Sequence, residues 1–292
     1  MRHSVENHRI AISVTETGAE LASLISLDSG REYIWQADPE VWGSHAPVLF
    51  PIIGMLKDGK TTIDGEEYRI PKHGMVRNND ALELFYHSDD RITFRMCWSE
   101  ETLKTYPYKF DFRITYRLRN EHVIVYYEVE NVDEQPIYFH LGGHPGFRVP
   151  FYEGEKYDDY FLRFEHDETA ARYSVMPGGT IGDSTRSVPW KDGNILPLTH
   201  DLFAEDALVF KDLKSRSVIL ESAINGPVLK LDYAGWTHMG IWAKPEGDFV
   251  CIEPWVGLAD AHNSNGDFKA KEGIIKLDAG QMYEMSFDIK VL

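Results

Sequence analysis

Apolar and polar side chains alternate with a period of two over much of the chain. From Lys109 to Arg119 the apolar set is Phe110, Phe112, Ile114, Tyr116 and Leu118, interleaved with Lys109, Asp111, Arg113, Thr115, Arg117 and Arg119. An extended backbone points successive side chains to opposite faces, so this segment predicts a strand with one buried and one solvated face. A second run follows Asn120-Glu121, with Val123, Val125, Tyr127 and Val129 on one side, and the two predict an antiparallel hairpin. The same rhythm closes the chain through Tyr283, Met285, Phe287, Ile289 and Val291, and opens it through Ile10, Ile12 and Val14.

Turn-forming residues punctuate these runs at short intervals, among them Asp58-Gly59, Asp64-Gly65, Pro177-Gly178-Gly179, Asp192-Gly193-Asn194 and Asn265-Gly266-Asp267. They supply the positive or fixed φ that reverses a chain. Many short alternating strands separated by such turns predict an all-β sandwich or barrel rather than βαβ units. Helical periodicity is scarce, and Ser99–Tyr106 is the one segment expected to form a turn or two of helix. With no repeat and no linker in sight, residues 1–292 are expected to form a single large β domain.

Composition narrows the function classes. Hydrophobic residues make up 43% and charged residues 26%, an ordinary globular balance that argues against disorder. Thirty Lys and Arg against 47 Asp and Glu leave a net charge of −17, which repels phosphate backbones and anionic lipid, so neither nucleic acid nor membrane is an expected partner. Two cysteines, Cys97 and Cys251, are too few for a disulfide framework and fit a reducing compartment. The start MRHSVENHRI has no apolar core of a signal peptide, and no stretch reaches the ~18 apolar residues of a membrane helix. The expectation is a cytoplasmic protein, with a homodimer left open.

The familiar nucleotide, hydrolase and zinc-protease motifs are absent. His140 and His144 have metal-like spacing, but Gly142, Gly143 and Pro145 exclude the helix that would align them, so no metal is expected. Cys251 shares an alternating face with Glu253, where a lone cysteine is usually core. Three segments do set polar residues among glycine, proline and aromatics: Leu49–Gly54 with Lys72–Arg77, Tyr138–Phe147, and Phe249–Asp260. In the second, His144 precedes a proline that biases it to an extended form; near its ordinary pKa of ~6.5 it is either a proton carrier or a hydrogen-bonded residue at a strand end. In the third, the apolar strand Phe249–Ile252 is expected to end at Glu253, whose carboxylate must be hydrogen-bonded, neutral or functional. Trp255 offers either a flat face for a sugar ring or a core ring. His144 and Glu253 make an acid–base pair if the fold brings them together.

In this order the segments resemble the aldose 1-epimerase (galactose mutarotase) superfamily, and in it a branch of bacterial lactose-operon-associated, aldose-epimerase-like proteins. The blocks that carry the likeness are Phe50-Pro51-Ile52-Ile53-Gly54, His73-Gly74-Met75-Val76-Arg77, Gly142-Gly143-His144-Pro145 and Glu253-Pro254-Trp255. The resemblance implies a large antiparallel β-supersandwich and the interconversion of α and β anomers of a free hexose, without cofactor. It implies His144 as general acid and Glu253 as general base. His73 would polarise the ring oxygen, and Arg77, Asp206 and Trp255 would hold the sugar. The residues alone allow plainer roles: a surface ion pair for Arg77, a turn for His73, a turn or helix cap for Asp206. Met55 departs from the pattern where relatives often carry arginine, as do Met75-Val76 for Phe-Ala and Gly146 for Ala.

Three alternatives follow. A hexose-6-phosphate 1-epimerase would need a basic cluster, for which Lys57, Lys72 and Arg77 are candidates. A sugar-binding or sensing protein would keep the cleft without turnover. A glycosidase would need Glu253 paired with Asp206 or Asp260 across the bond.

Overall fold

The computed structural model describes all 292 residues and is built almost entirely of antiparallel strands. The hairpin read from the alternation is present: Phe110–Arg119 pairs with His122–Asn131, Leu118 opposite Val123, around a turn with Asn120 at φ 54°. These strands lie inside a nine-stranded sheet, flanked by Met282–Val291 on one side and Arg91–Cys97 on the other. The helical segment is a single turn, Glu100–Leu103, capped by Ser99 and Thr102. It goes no further because Tyr106 and Tyr108 turn into the core and are almost fully buried.

A second, eight-stranded sheet packs face to face on the first. Phe50 stacks on Phe112 with ring centres 4.9 Å apart, and a Cβ on Gly143 would meet Phe287 at 2.7 Å, so the two layers nearly touch where the glycine lies. One cluster of 68 buried residues, from Val5 to Val291, fills the space between and around them. No helix is long and apolar enough to cross a membrane. Both cysteines are free thiols, Cys97 exposed and Cys251 buried.

The outer face of the predicted hairpin is less wet than alternation implies. Asp111 and Thr115 are buried, Thr115 bonded to Thr93 at 2.8 Å and Asp111 clamped by Arg95 and Arg113 at 2.6 and 2.7 Å. Burial works to raise the Asp111 pKa, but the hydrogen bonds from Arg95 and Arg113 outweigh it and hold it below the ordinary value. A carboxyl depressed in the folded state stabilises above its unfolded pKa of ~3.9 and loses that contribution as pH falls through the native value. Asp111→Asn is therefore expected to cost about 1–3 kcal/mol at pH 7 and progressively less toward pH 2. Denaturant titrations at both pH values measure this, and a difference that stays constant with pH contradicts it.

Candidate active site

The eight-stranded sheet carries its polar residues on the face turned away from the sandwich core. Its long strand Phe249–Val256 is buried at all eight positions and runs straight through Glu253 and Pro254. Glu253 is thus a mid-strand residue, opposite Gly240 on one neighbour, rather than the strand end expected from the sequence. On the other side the partner is split into Leu141–Gly143 and Gly146–Arg148. Gly142 pairs with Trp255 and Gly146 with Cys251, so the register sets His144 directly across from Glu253 in the interval. Backbone donors alternate sides along a strand. The N–H that Pro254 lacks falls on the side where Ile252 bonds to Pro145, which is where the ladder is broken, so the proline leaves no partner stranded.

Glycines make room around this cross-strand pair. A Cβ on Gly240 would meet the Trp255 indole at 2.5 Å, one on Gly142 would meet it at 2.7 Å, and one on Gly146 would meet Trp42 at 2.7 Å. The His144 ring is stacked on Trp42 (centres 5.2 Å) and edged by Trp242 and His73 at 5.8 and 5.5 Å. Its Nε2 lies 3.3 Å from Glu253 Oε2. Both side chains are buried, and Glu253 Oε2 and His144 Nδ1 have no hydrogen-bond partner in the protein.

A cavity of about 250 Å³ opens over the pair. All six residues singled out in the sequence, His73, Arg77, His144, Asp206, Glu253 and Trp255, line it, and so does Lys72. His73 is in the left-handed region at φ 66° and is tied to Gly54 twice: its N–H donates to the Gly54 carbonyl at 2.9 Å, and its Nδ1 accepts from the Gly54 N–H at 3.2 Å. Nδ1 is therefore the acceptor nitrogen, and Nε2 carries the proton of the neutral ring. Asp206 also has positive φ, 87°, and its carboxylate accepts from the next residue's N–H at 2.7 Å. Backbone in this region costs about 1–3 kcal/mol and persists only where the surrounding structure over-determines it.

Two cations on the wall have no acidic partner. Arg77 donates to Ser44 Oγ at 3.3 Å, its Nε is buried without a bond, and Lys72 makes neither ion pair nor hydrogen bond. Lys57, the third candidate for a basic cluster, is elsewhere: its amine donates to the Ser264 carbonyl. Asp260, one candidate carboxylate for glycoside cleavage, is also excluded from the cavity, being buried in an ion pair with Lys271 and accepting from the Lys57 N–H at 2.9 Å. Met55 packs beside Gly179, where a Cβ would lie 2.9 Å from its Cγ, and is not on the cavity wall. His140 lies apart, fully buried with its ring against Gly257. Sequence reading missed Trp42, Trp242, Val175 and Ile181, which complete the wall from distant loops and strands.

Burial governs the charges here. It pushes His144 down to about 3, helped by the positive charges of Arg77 and Lys72. It raises Glu253 well above the ordinary carboxyl value, with Asp206 adding to the rise and Lys72 and Arg77 opposing it. His73 is lowered well below 6.5 by burial and then by neighbouring His144, Lys72 and Arg77. Burial thus opposes the charged form of both groups and favours the shared proton on Glu253 over His144, whereas the sequence-based mechanism begins with it on His144.

The family description that fits this chain is aldose 1-epimerase, matching residues 1–276. The chain belongs to the aldose 1-epimerase family. Two relatives from Lactococcus lactis subsp. lactis, the plasmid and chromosomal LacX proteins, are each 31% identical over the full length of both chains, in keeping with the branch expected. A galactose mutarotase related enzyme from Lactobacillus acidophilus superposes with a TM-score of 0.94 at 34% identity, covering 100% of this chain and 97% of that one. A galactose mutarotase-like protein from Lactobacillus casei superposes at 0.93 with 29% identity and complete coverage of both. The all-β fold expected from the alternation, and the antiparallel supersandwich implied by the resemblance, are thus both present.

Proposed function

We propose that the protein is an aldose 1-epimerase, with residues 1–292 acting as one unit and His144 and Glu253 as its acid–base pair. The observation that carries the reading is the 3.3 Å contact between the two groups on the floor of a cavity lined by sugar-binding side-chain types. A hemiacetal carbon bears two oxygens, the C1 hydroxyl and the ring oxygen, and a donor and an acceptor side by side serve both at once. With Glu253 as carboxylate and His144 as imidazolium, Glu253 takes the C1 hydroxyl proton and His144 gives one to the ring oxygen. The C1–O5 bond breaks, C1–C2 rotates in the open aldehyde, and closure on the other face returns both protons. The resting pair reaches this distribution by moving its single proton across the contact, and Lys72 and Arg77 then favour the carboxylate. His73, neutral with Nε2–H free, donates to the ring oxygen; Arg77 and Asp206 bind hydroxyls; Trp255 packs on a ring face.

Because the working form holds one proton, kcat/KM is expected to fall below about 3, where His144 gains a second. It falls again only above the ordinary carboxyl range, where Glu253 loses the first. An acid limb near the usual histidine value of ~6.5 contradicts this pairing. The activity itself is tested by following mutarotation of freshly dissolved α-glucose and α-galactose by polarimetry; rates indistinguishable from spontaneous conversion reject the reading.

One observation favours a phosphorylated hexose as substrate: Lys72 and Arg77 face the cavity of a strongly acidic protein without carboxylate partners. Charge-assisted bonds to phosphate contribute about 1.5–3 kcal/mol each. Lys72→Met is therefore expected to lower kcat/KM for hexose 6-phosphates roughly 10–100-fold more than for free hexoses, which lose only its support of the Glu253 carboxylate. Equal effects on both substrates contradict that reading.

A further inference from the structure

The acid–base mechanism leaves one buried nucleophile unused. Cys251 is fully buried, on the same strand face as Glu253, and opposite Gly146, where a Cβ would lie 3.5 Å from Sγ. Cys251 Sγ, a ring nitrogen of His144 and a carboxylate oxygen of Glu253 all lie within 4.8 Å of one another. Glu253 Oε2 and His144 Nδ1 are without hydrogen bonds although both side chains are more than nine-tenths buried. His144 and Glu253 line the cavity, and Cys251 lies buried behind them.

We propose that His144, Cys251 and Glu253 form a site for a thiophilic divalent cation of the zinc type, whose binding disables the proton-transfer pair. Thiolate, imidazole and carboxylate are the three zinc ligand classes, and bonds of about 2.0–2.3 Å in a tetrahedron set ligand atoms roughly 3–4 Å apart. The His144–Glu253 contact already fits, and the widest separation must close by about 1 Å. The thiol and carboxyl protons leave to solvent, and the two anions formed neutralise the dication. The fourth position faces the cavity, open to water. Lys72 and Arg77 repel a cation, so affinity must come from the two anionic ligands. A hard ion such as Mg²⁺, which prefers several oxygens, finds one carboxylate only. Loss of activity on metal binding rests on the acid–base reading above; binding itself does not.

Co²⁺ is the direct probe, because thiolate ligation gives a near-ultraviolet charge-transfer band and tetrahedral geometry gives intense visible bands. Metal-free protein is expected to take up one equivalent with both signatures, and Zn²⁺ should displace it while a hundredfold excess of Mg²⁺ does not. The band should persist in Cys97→Ser, disappear in Cys251→Ser, and the latter should bind Zn²⁺ at least tenfold more weakly by equilibrium dialysis. Anomer interconversion should drop at least tenfold at one equivalent of Zn²⁺ and return with a chelator. No thiolate band in folded wild-type protein overturns the proposal whatever the variants do, as does a band lost in Cys97→Ser. Undiminished zinc affinity in Cys251→Ser overturns it too. A Cys251-dependent band in a protein that interconverts no sugar upholds the metal site and rejects the epimerase reading instead.

Discussion

Glu253→Gln is expected to reduce the rate of anomer interconversion by roughly 10²–10⁴, the usual contribution of a positioned proton-transfer group. Gln keeps the size of the side chain and one oxygen beside His144, but it neither holds nor releases the shared proton. His144→Asn should lose a similar amount, since the imidazole is the other end of the same transfer. The two groups handle one proton between them, so the double variant should be little worse than either single one, as with other residues that act as a unit. Sugar binding by Glu253→Gln, measured by calorimetry, should stay within a few-fold of wild type. Fully additive losses would mean that the two side chains act independently, despite lying 3.3 Å apart.

Gly74→Ala is expected to have the largest effect on stability. At φ 87° its Cβ would lie 2.0 Å from the Phe50 carbonyl oxygen and 2.7 Å from the Pro51 nitrogen, backbone atoms that cannot swing aside. Phe50 and Gly74 form a bridge that docks the Lys72–Arg77 segment on the Phe50–Gly54 segment and so fixes His73. A clash with backbone added to left-handed strain should destabilise the protein by about 3 kcal/mol or more. Gly65→Ala is the control. It has a similar φ of 91° with nothing within 4 Å of the added carbon, and should cost only about 1–2 kcal/mol of conformational strain. Equal losses in denaturant titrations of the two variants would show that the close approach at Gly74 carries no weight.

Much of the fold was legible because period-two alternation reports the buried face directly, as in Phe110–Arg119. The pairing of His144 with Glu253 was half legible. Gly142, His144 and Gly146 alternate along the split partner as Cys251, Glu253 and Trp255 do along the long strand, but register between distant segments is set by packing that no local pattern reports. Pro254 misled the strand boundary, since a proline normally ends a ladder; here the neighbouring strand is itself interrupted at Pro145. Lys57 was placed among the basic candidates by composition alone, and its amine bonds to a loop carbonyl instead. Trp42 and Trp242 gave no signal as cavity walls, because an aromatic in a loop or strand reads equally well as core. The proton's resting place was not readable either: it depends on how dry the site is, which the fold decides.

The central claim is that the anomeric centre of an aldose sits over the His144–Glu253 contact. The most direct measurement is a crystal structure of Glu253→Gln with bound hexose. It should have the C1 hydroxyl within hydrogen-bond distance of residue 253 and the ring oxygen within reach of His144 and His73. A sugar bound with C1 turned toward the mouth of the cavity, and its other hydroxyls on the pair, would contradict the account.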